Sequence, residues 1–203
     1  MRIFGLTGGI ACGKSTAARM FEVLGAGRVD ADELARAAAT PGSPVFPRIV
    51  GLFGSGVLDA DGDLDRRAVR RLVFADPALK RRLEAIIHPE VAVRSAERFA
   101  DFMSRGVEIV IYEAALLVET GAWRNFDGLA VVTVTPETQS VRLTLRDGMS
   151  EIEARAMIAS QAPQEVKTAA ADWVIANDGD VETLAAEVEE VWQKMKSHPG
   201  RSR

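Results

Sequence analysis

The stretch GLTGGIACGKST, Gly5 to Thr16, decides how the rest of the chain is read. The run RIFGLT that leads into it has the length and composition of a buried strand, and AARMFEVLG after it has helical spacing. Between the two, Gly8 to Ser15 reads G-x-x-x-x-G-K-S, a glycine-rich turn that cradles phosphate. In that arrangement the backbone N–H groups of Gly9 to Ser15 point inward as an anion nest at a helix N-terminus. The loop is then Gly8, Gly9, Ile10, Ala11, Cys12, Gly13, Lys14, Ser15 and Thr16. Lys14 reaches the β- and γ-phosphates, and the Ser15 hydroxyl ligates Mg²⁺. A glycine-rich turn with a chance lysine is the bland alternative, and a strand before with a helix after argues against it.

Outward from the loop, strand-like and helix-like segments alternate. GRVDAD reads as a second strand, VEIVIYEAALL as a third, GLAVVTVT as a fourth and DWVIAN as a fifth. Runs of this kind separated by helices predict an α/β fold, a doubly wound parallel sheet of about five strands covered on both faces. VETLAAEVEEVWQKM, with Leu184, Val188, Val191 and Met195 on one side, predicts a closing amphipathic helix. The tail SHPGRSR, residues 197–203, has nothing to bury and is expected to fray. Two stretches exceed a minimal alternation. Residues 33–105 are helical in pattern with turns at TPGSP and LDADGD, and residues 136–171 are helical, polar and arginine-bearing. One kinase domain accounts for both. Its core takes about 1–32, 106–135 and 172–196, the first excursion holds an acceptor, and the second closes as a lid.

Composition narrows the function. A chain of 203 residues suits one such domain with a real core. A net charge of −4 lacks the electrostatic footprint of a general nucleic-acid binder. The single cysteine, Cys12, makes no intrachain disulfide, which fits a reducing compartment. The polar loop arrives too early for a signal peptide. The run IVIYEAALLV is interrupted by Glu113 and too short to span a bilayer. The expectation is a soluble cytoplasmic protein with no membrane contact and no evident obligate protein partner.

Further residues bear on chemistry, each with two readings. Asp30 and Asp32 stand two apart at the end of the second strand, on one face if the segment is extended. A carboxylate there could take the proton of an attacking hydroxyl, or cap the helix ELARAAA. Arg142 and Arg146, at i and i+4 in QSVRLTLRD, either clamp a moving phosphoryl group or form a solvated pair. Arg66, Arg67, Arg70 and Arg71, with the KRR run at Lys80 to Arg82, either receive an anionic acceptor or are the wet side of a helix whose apolar side is Val69, Leu72 and Val73. His88, before a proline, is expected to end a helix.

The motifs GLTGGIACGKST, VDADELAR, LDRRAVRRLVF, IIHPEV, ALLVETG, QSVRLTLRDG and SQAP, in that order and nearly end to end, resemble the dephospho-coenzyme A kinase family. The resemblance implies ATP and dephospho-coenzyme A as substrates, Mg²⁺ as the metal, and phosphorylation of the acceptor's ribose 3′-hydroxyl. It implies Asp32 as the catalytic base, Lys14 and Ser15 on ATP and Mg²⁺, and Arg142 and Arg146 in the lid. Arg66, His88, Leu117 and Glu119 would line the acceptor cleft, and Asn177 would lie near the adenine. The chain departs from the family at Ala11 and Cys12, where Gly and Ser are usual, at Ala115 for proline, and at Glu113 for aspartate. A positive φ at position 11 would cost about 1–2 kcal/mol, so the alanine suggests a backbone that tolerates a Cβ. A small-metabolite or nucleoside monophosphate kinase is the rival enzyme. A nucleotide-dependent switch is the rival of another class, but it would want an N-K-x-D guanine reader, and the sequence has none.

Overall fold

The computed structural model describes residues 1–200. The chain divides into two compact units, one of Met1–Asp30 with the chain from Asp101 onward, the other Ala31–Ala100. The first is built on five strands: β1 (Arg2–Gly8), β2 (Gly27–Asp30), β3 (Ile109–Glu113), β4 (Gly128–Thr133) and β5 (Trp173–Ala176). They lie in the order β2-β3-β1-β4-β5, and every pairing is parallel. Parallel strands of one sheet need crossover connections, and α1 (Lys14–Val23) supplies the first, from β1 to β2.

The other unit runs through α2 (Ala31–Ala38), α3 (Phe46–Phe53), α4 (Arg66–Ala75) and most of α5 (Pro77–Ser104). After β4 come α6 (Pro136–Asp147), α7 (Glu151–Ala159) and α8 (Gln164–Ala170), and after β5 the closing α9 (Val181–Ser197). Among the described residues no helix is long and apolar enough to cross a membrane.

Period-two alternation fills both faces of the sheet. Phe4, Leu6, Ile109, Ile111, Ala130, Val132 and Ile175 meet Ala17, Ala18 and Phe21 of α1 and Leu184, Val188, Val191 and Met195 of α9. On the opposite face Leu117, Leu129 and Val131 pack with Tyr112, Trp123 and Phe126. The four residues expected to form the apolar side of the last helix are all buried. The tail differs from its expectation as far as it is described. His198 sits edge-on to Phe4 and Trp173, and its carbonyl accepts a 2.6 Å hydrogen bond from Arg2. An aromatic ring beside an open aromatic pair gives this stretch something to bury after all; residues 201–203 lie outside the described residues.

In the second unit, Ala38, Val45 and Ile49 make a small core with Phe53, Leu64, Leu83, Ile86 and Ile87. Asp65 caps α4, its Oδ1 accepting from Arg67 N at 2.9 Å and Ala68 N at 3.0 Å. The expected apolar side of α4 is not buried: Leu72 is 41% exposed, and no residue of the helix is fully covered. His88 does not end a helix either. Helix α5 continues through Pro89, with Ile86 and Ile87 packed before it and Val91 buried after it. Apolar contacts on both sides of the proline offset the backbone hydrogen bond it removes.

Candidate active site

The phosphate loop is shaped by glycines that cannot be replaced without moving their neighbours, Gly8 and Gly13 among them. A Cβ on Gly8 would fall 2.5 Å from both the Val132 carbonyl oxygen and Cys12 Sγ. Gly13 takes φ 88° as it enters α1, and a Cβ there would run into the Asn177 amide. Between them Ala11 stands at φ 58°, the only non-glycine with positive φ among the described residues. The expectation of a relaxed backbone at position 11 is therefore corrected: the alanine occupies a left-handed conformation and carries its strain.

Under the loop sits a buried charge cluster. Glu113, at the carboxyl end of β3, is fully inaccessible. Its Oε1 accepts from Lys14 Nζ at 2.8 Å and from the Ser15 hydroxyl. Its Oε2 accepts from Arg28 Nε at 3.0 Å and Arg28 Nη2 at 2.9 Å. Burial pushes the Glu113 carboxyl up, but the Lys14 charge and the hydrogen bonds from Lys14, Ser15 and Arg28 outweigh it and hold it below the usual range. Arg28 Nη2 also reaches Asp30 Oδ2 at 2.9 Å. The carboxylate of Asp30 thus partners Arg28, which its position two residues along the same strand face allows. Glutamate in place of the family's aspartate is accommodated by these contacts. The Ala115 replacement is also explained: its described contacts, from Thr7 Oγ1 at 3.1 Å and Lys167 Nζ at 3.5 Å, go to its carbonyl, which proline shares.

Two amides of the expected nest are already engaged. Cys12 N donates to Gly9 O at 3.2 Å. Ile10 N donates to Gln161 Oε1 at 2.8 Å, while Gln139 Nε2 donates to Ile10 O at 2.7 Å. The helical segment α6–α8 is thereby fastened to the loop by two glutamines.

Arg142 joins them, donating from Nη1 to Ala11 O at 3.3 Å and from Nη2 to Asn177 O at 2.9 Å. Arg146 pairs instead with its neighbour Asp147, at 2.9 and 2.8 Å. Both arginines line a cavity of about 540 Å³ with Ala11, Gly13, Thr16 and Asn177, a volume suited to a small-molecule ligand. Asn177 is on that wall, but its side-chain amide is committed to the Cys12 carbonyl at 2.7 Å. Cys12 is 1% exposed, and burial pushes its thiol up against the lowering effect of the Lys14 amide and the Lys14 and Arg142 charges.

Two residues assigned by resemblance to the acceptor cleft have other work. Leu117 is a core side chain packed with Leu129 and Val131. Glu119 Oε1 accepts from Ala162 N at 3.2 Å and forms an ion pair with Lys167, whose side chain is 2% exposed. A buried ammonium needs that carboxylate, so Glu119 is a structural partner of α8.

Asp32, Arg66 and His88 belong to the other unit. Asp32 is not on an extended segment, because α2 begins at Ala31; it lies in the first helical turn with Glu33, so it is no N-cap. It still follows the carboxyl end of β2 by two residues, the end of a parallel strand at which ligands bind. Arg66 opens α4, and His88 is exposed on α5.

Sequence reasoning gave no role to Arg28 or Lys167, and used Gln139 and Gln161 only as parts of QSVRLTLRDG and SQAP. The one signal for Arg28 was a cation alternating with Asp30 on a strand otherwise buried.

A parallel sheet ordered β2-β3-β1-β4-β5, a phosphate loop after β1 and an arginine-bearing helical segment fastened to that loop define a P-loop small-molecule kinase. The dephospho-CoA kinase family model matches residues 2–183, and the chain belongs to that family. A dephospho-CoA kinase of Geobacter sulfurreducens is 46% identical over 194 residues, covering 96% of this chain and 98% of that one. A Thermus thermophilus crystal structure superposes with a TM-score of 0.82 at 34% identity, covering 96% of this chain and 97% of its own. The dephospho-CoA kinase of Campylobacter jejuni superposes with a TM-score of 0.67 at 26% identity, covering 95% and 96% respectively.

Proposed function

We propose that this chain transfers the γ-phosphoryl group of ATP to the ribose 3′-hydroxyl of dephospho-coenzyme A, the last step of coenzyme A biosynthesis. The observation that carries the reading is the loop itself, with Lys14 and Ser15 set on a buried carboxylate at the head of α1. ATP lies with its phosphates over Gly8–Thr16 and its base toward the cavity walled by Asn177. Lys14 moves onto the β- and γ-phosphates. Arg142 and Arg146 face the same space and offset charge as the phosphoryl group leaves. Asp32 takes the proton of the attacking hydroxyl. Arg66 and His88 serve the acceptor, whereas Leu117 and Glu119 take no direct part.

Residues 136–171 act as the lid and 33–105 as the acceptor-binding insertion. The Ser15 hydroxyl is a hard oxygen donor, which suits Mg²⁺, an ion that keeps waters and substrate phosphates as its other ligands. When bound, that ion supplies neutralisation of charge on the phosphate oxygens.

The test is ATP consumption with dephospho-coenzyme A, beside AMP and CMP as acceptors and GTP as donor. Mass analysis should show one phosphoryl group added to dephospho-coenzyme A. Preferential phosphorylation of AMP or CMP would move the reading to a nucleoside monophosphate kinase.

A further inference from the structure

We infer that Arg28 is a positioning residue of the phosphate loop, compensating Glu113 so that Lys14 can leave it for the nucleotide. The inference rests on the nucleotide-binding reading above. Its starting point is the double demand on Lys14. In the structure Lys14 Nζ is 2.8 Å from Glu113 Oε1, and the carboxylate it neutralises is wholly buried. On a nucleotide, the same ammonium goes to the β-phosphate. A buried carboxylate stripped of its cation is strongly disfavoured. Left to itself, Glu113 would hold Lys14 back.

Arg28 removes that conflict by geometry. β2 pairs with β3 so that Asp30 is opposite Glu113 and Arg28 opposite Ile111, placing Arg28 diagonal to Glu113. From there its guanidinium presents Nε and Nη2 to the one oxygen, Oε2, that Lys14 and Ser15 do not use. The two sides of the carboxylate are thus divided between a partner that must move and one anchored in the sheet. Asp30 takes Arg28 Nη2 as well, so a second carboxylate holds the same nitrogen. A guanidinium suits the task because it gives two directed donors and stays charged.

A purely structural role for Arg28, tying β2 to β3, makes a different prediction, and nucleotide affinity separates the two. The probe is ADP without metal, titrated calorimetrically well below each variant's unfolding temperature. Arg28→Met should weaken ADP binding about 10- to 100-fold, the scale of a charge-assisted hydrogen bond lost to competition. Adding Glu113→Gln to Arg28→Met removes the charge that detains Lys14, so the double variant should bind ADP more tightly than Arg28→Met alone. Arg28→Lys, which keeps the charge and one donor, should fall between wild type and Arg28→Met, and carries the test if Arg28→Met does not fold. Unchanged affinity in Arg28→Met, or a double variant no tighter than the single, would overturn the inference while leaving the kinase reading intact. If wild type itself fails to bind ADP, the nucleotide reading falls and takes this inference with it.

Discussion

Ala11 offers a perturbation whose sign runs against common experience. Replacing alanine by glycine inside a structured segment usually destabilises a protein by about 0.5–1 kcal/mol, through the freedom glycine gains when unfolded. At φ 58° the alanine pays about 1–2 kcal/mol for its left-handed backbone, and Ala11→Gly relieves it. Against that relief stand the unfolded-state term and the loss of one half-buried methyl, about 0.4 kcal/mol at half the value of a buried methylene. The net is a gain of about 0.3 kcal/mol at mid-range and about 1 kcal/mol at best. For a chain of this size the corresponding rise in Tm is about 1–3 °C. The control is the same chemical change at Ala185, exposed in the interior of α9, where the full loss of about 0.5–1 kcal/mol is expected. Reversible denaturation of the nucleotide-free protein compares the two directly. Ala11→Gly and Ala185→Gly should move in opposite directions, or differ by about 1 kcal/mol if both lose. Equal losses at the two sites would show that Ala11 is not strained, and the reasoning would fail.

The remaining expectations can be checked with the same variant set. Glu119→Ala strands the buried Lys167 ammonium and should cost about 3–5 kcal/mol, whereas Glu119→Leu with Lys167→Met should recover most of it; a mild loss in Glu119→Ala would return that glutamate to the acceptor cleft. Asp32→Asn should leave denaturation midpoints nearly unchanged and lower kcat by about 10²–10⁴, with ATP affinity kept; full activity would place the base elsewhere. Arg142→Ala should weaken ATP binding as well as kcat because it also braces Ala11 and Asn177, while Arg146→Ala should act on kcat alone, so identical profiles for the two would count against their distinct anchoring. Cys12, whose folded thiol titrates above its unfolded value, favours the fold while protonated. Stability should therefore be whole below the unfolded thiol's pKa, decline as pH rises past it, and be independent of pH there in Cys12→Ala; rapid alkylation of the native protein at pH 8 would refute the assignment.

What the sequence disclosed follows from the range of the forces involved. The loop, the five strands and the apolar side of α9 are written in local spacing, so they could be read directly. Asp32 was misplaced onto a strand because VDAD suits either an extended end or a helix start, and only the hydrogen bonds of α2 decide. The continuation of α5 through Pro89 depends on packing on either side, which outweighs a local rule. The packing of Leu117 and the Glu119–Lys167 ion pair were not foreseen, because a motif preserves residue identity but not the direction a side chain points. Arg28, Gln139 and Lys167 act across 85, 129 and 48 residues of sequence, and no periodicity reports partners that distant.

The paired glutamines on Ile10 have a thermodynamic consequence for any measurement of nucleotide affinity. On the nucleotide-binding reading proposed above, a phosphate oxygen would use the Ile10 amide that Gln161 occupies, and the chain then carries its own competitor. Measured affinity is then the product of an intrinsic affinity and the fraction of molecules in which Gln161 has swung away. Were that fraction a tenth, the apparent Kd would be about tenfold weaker than the intrinsic one. Gln161→Ala removes the competitor, and ADP should bind it more tightly than it binds wild type, an improvement obtained by deleting a contact.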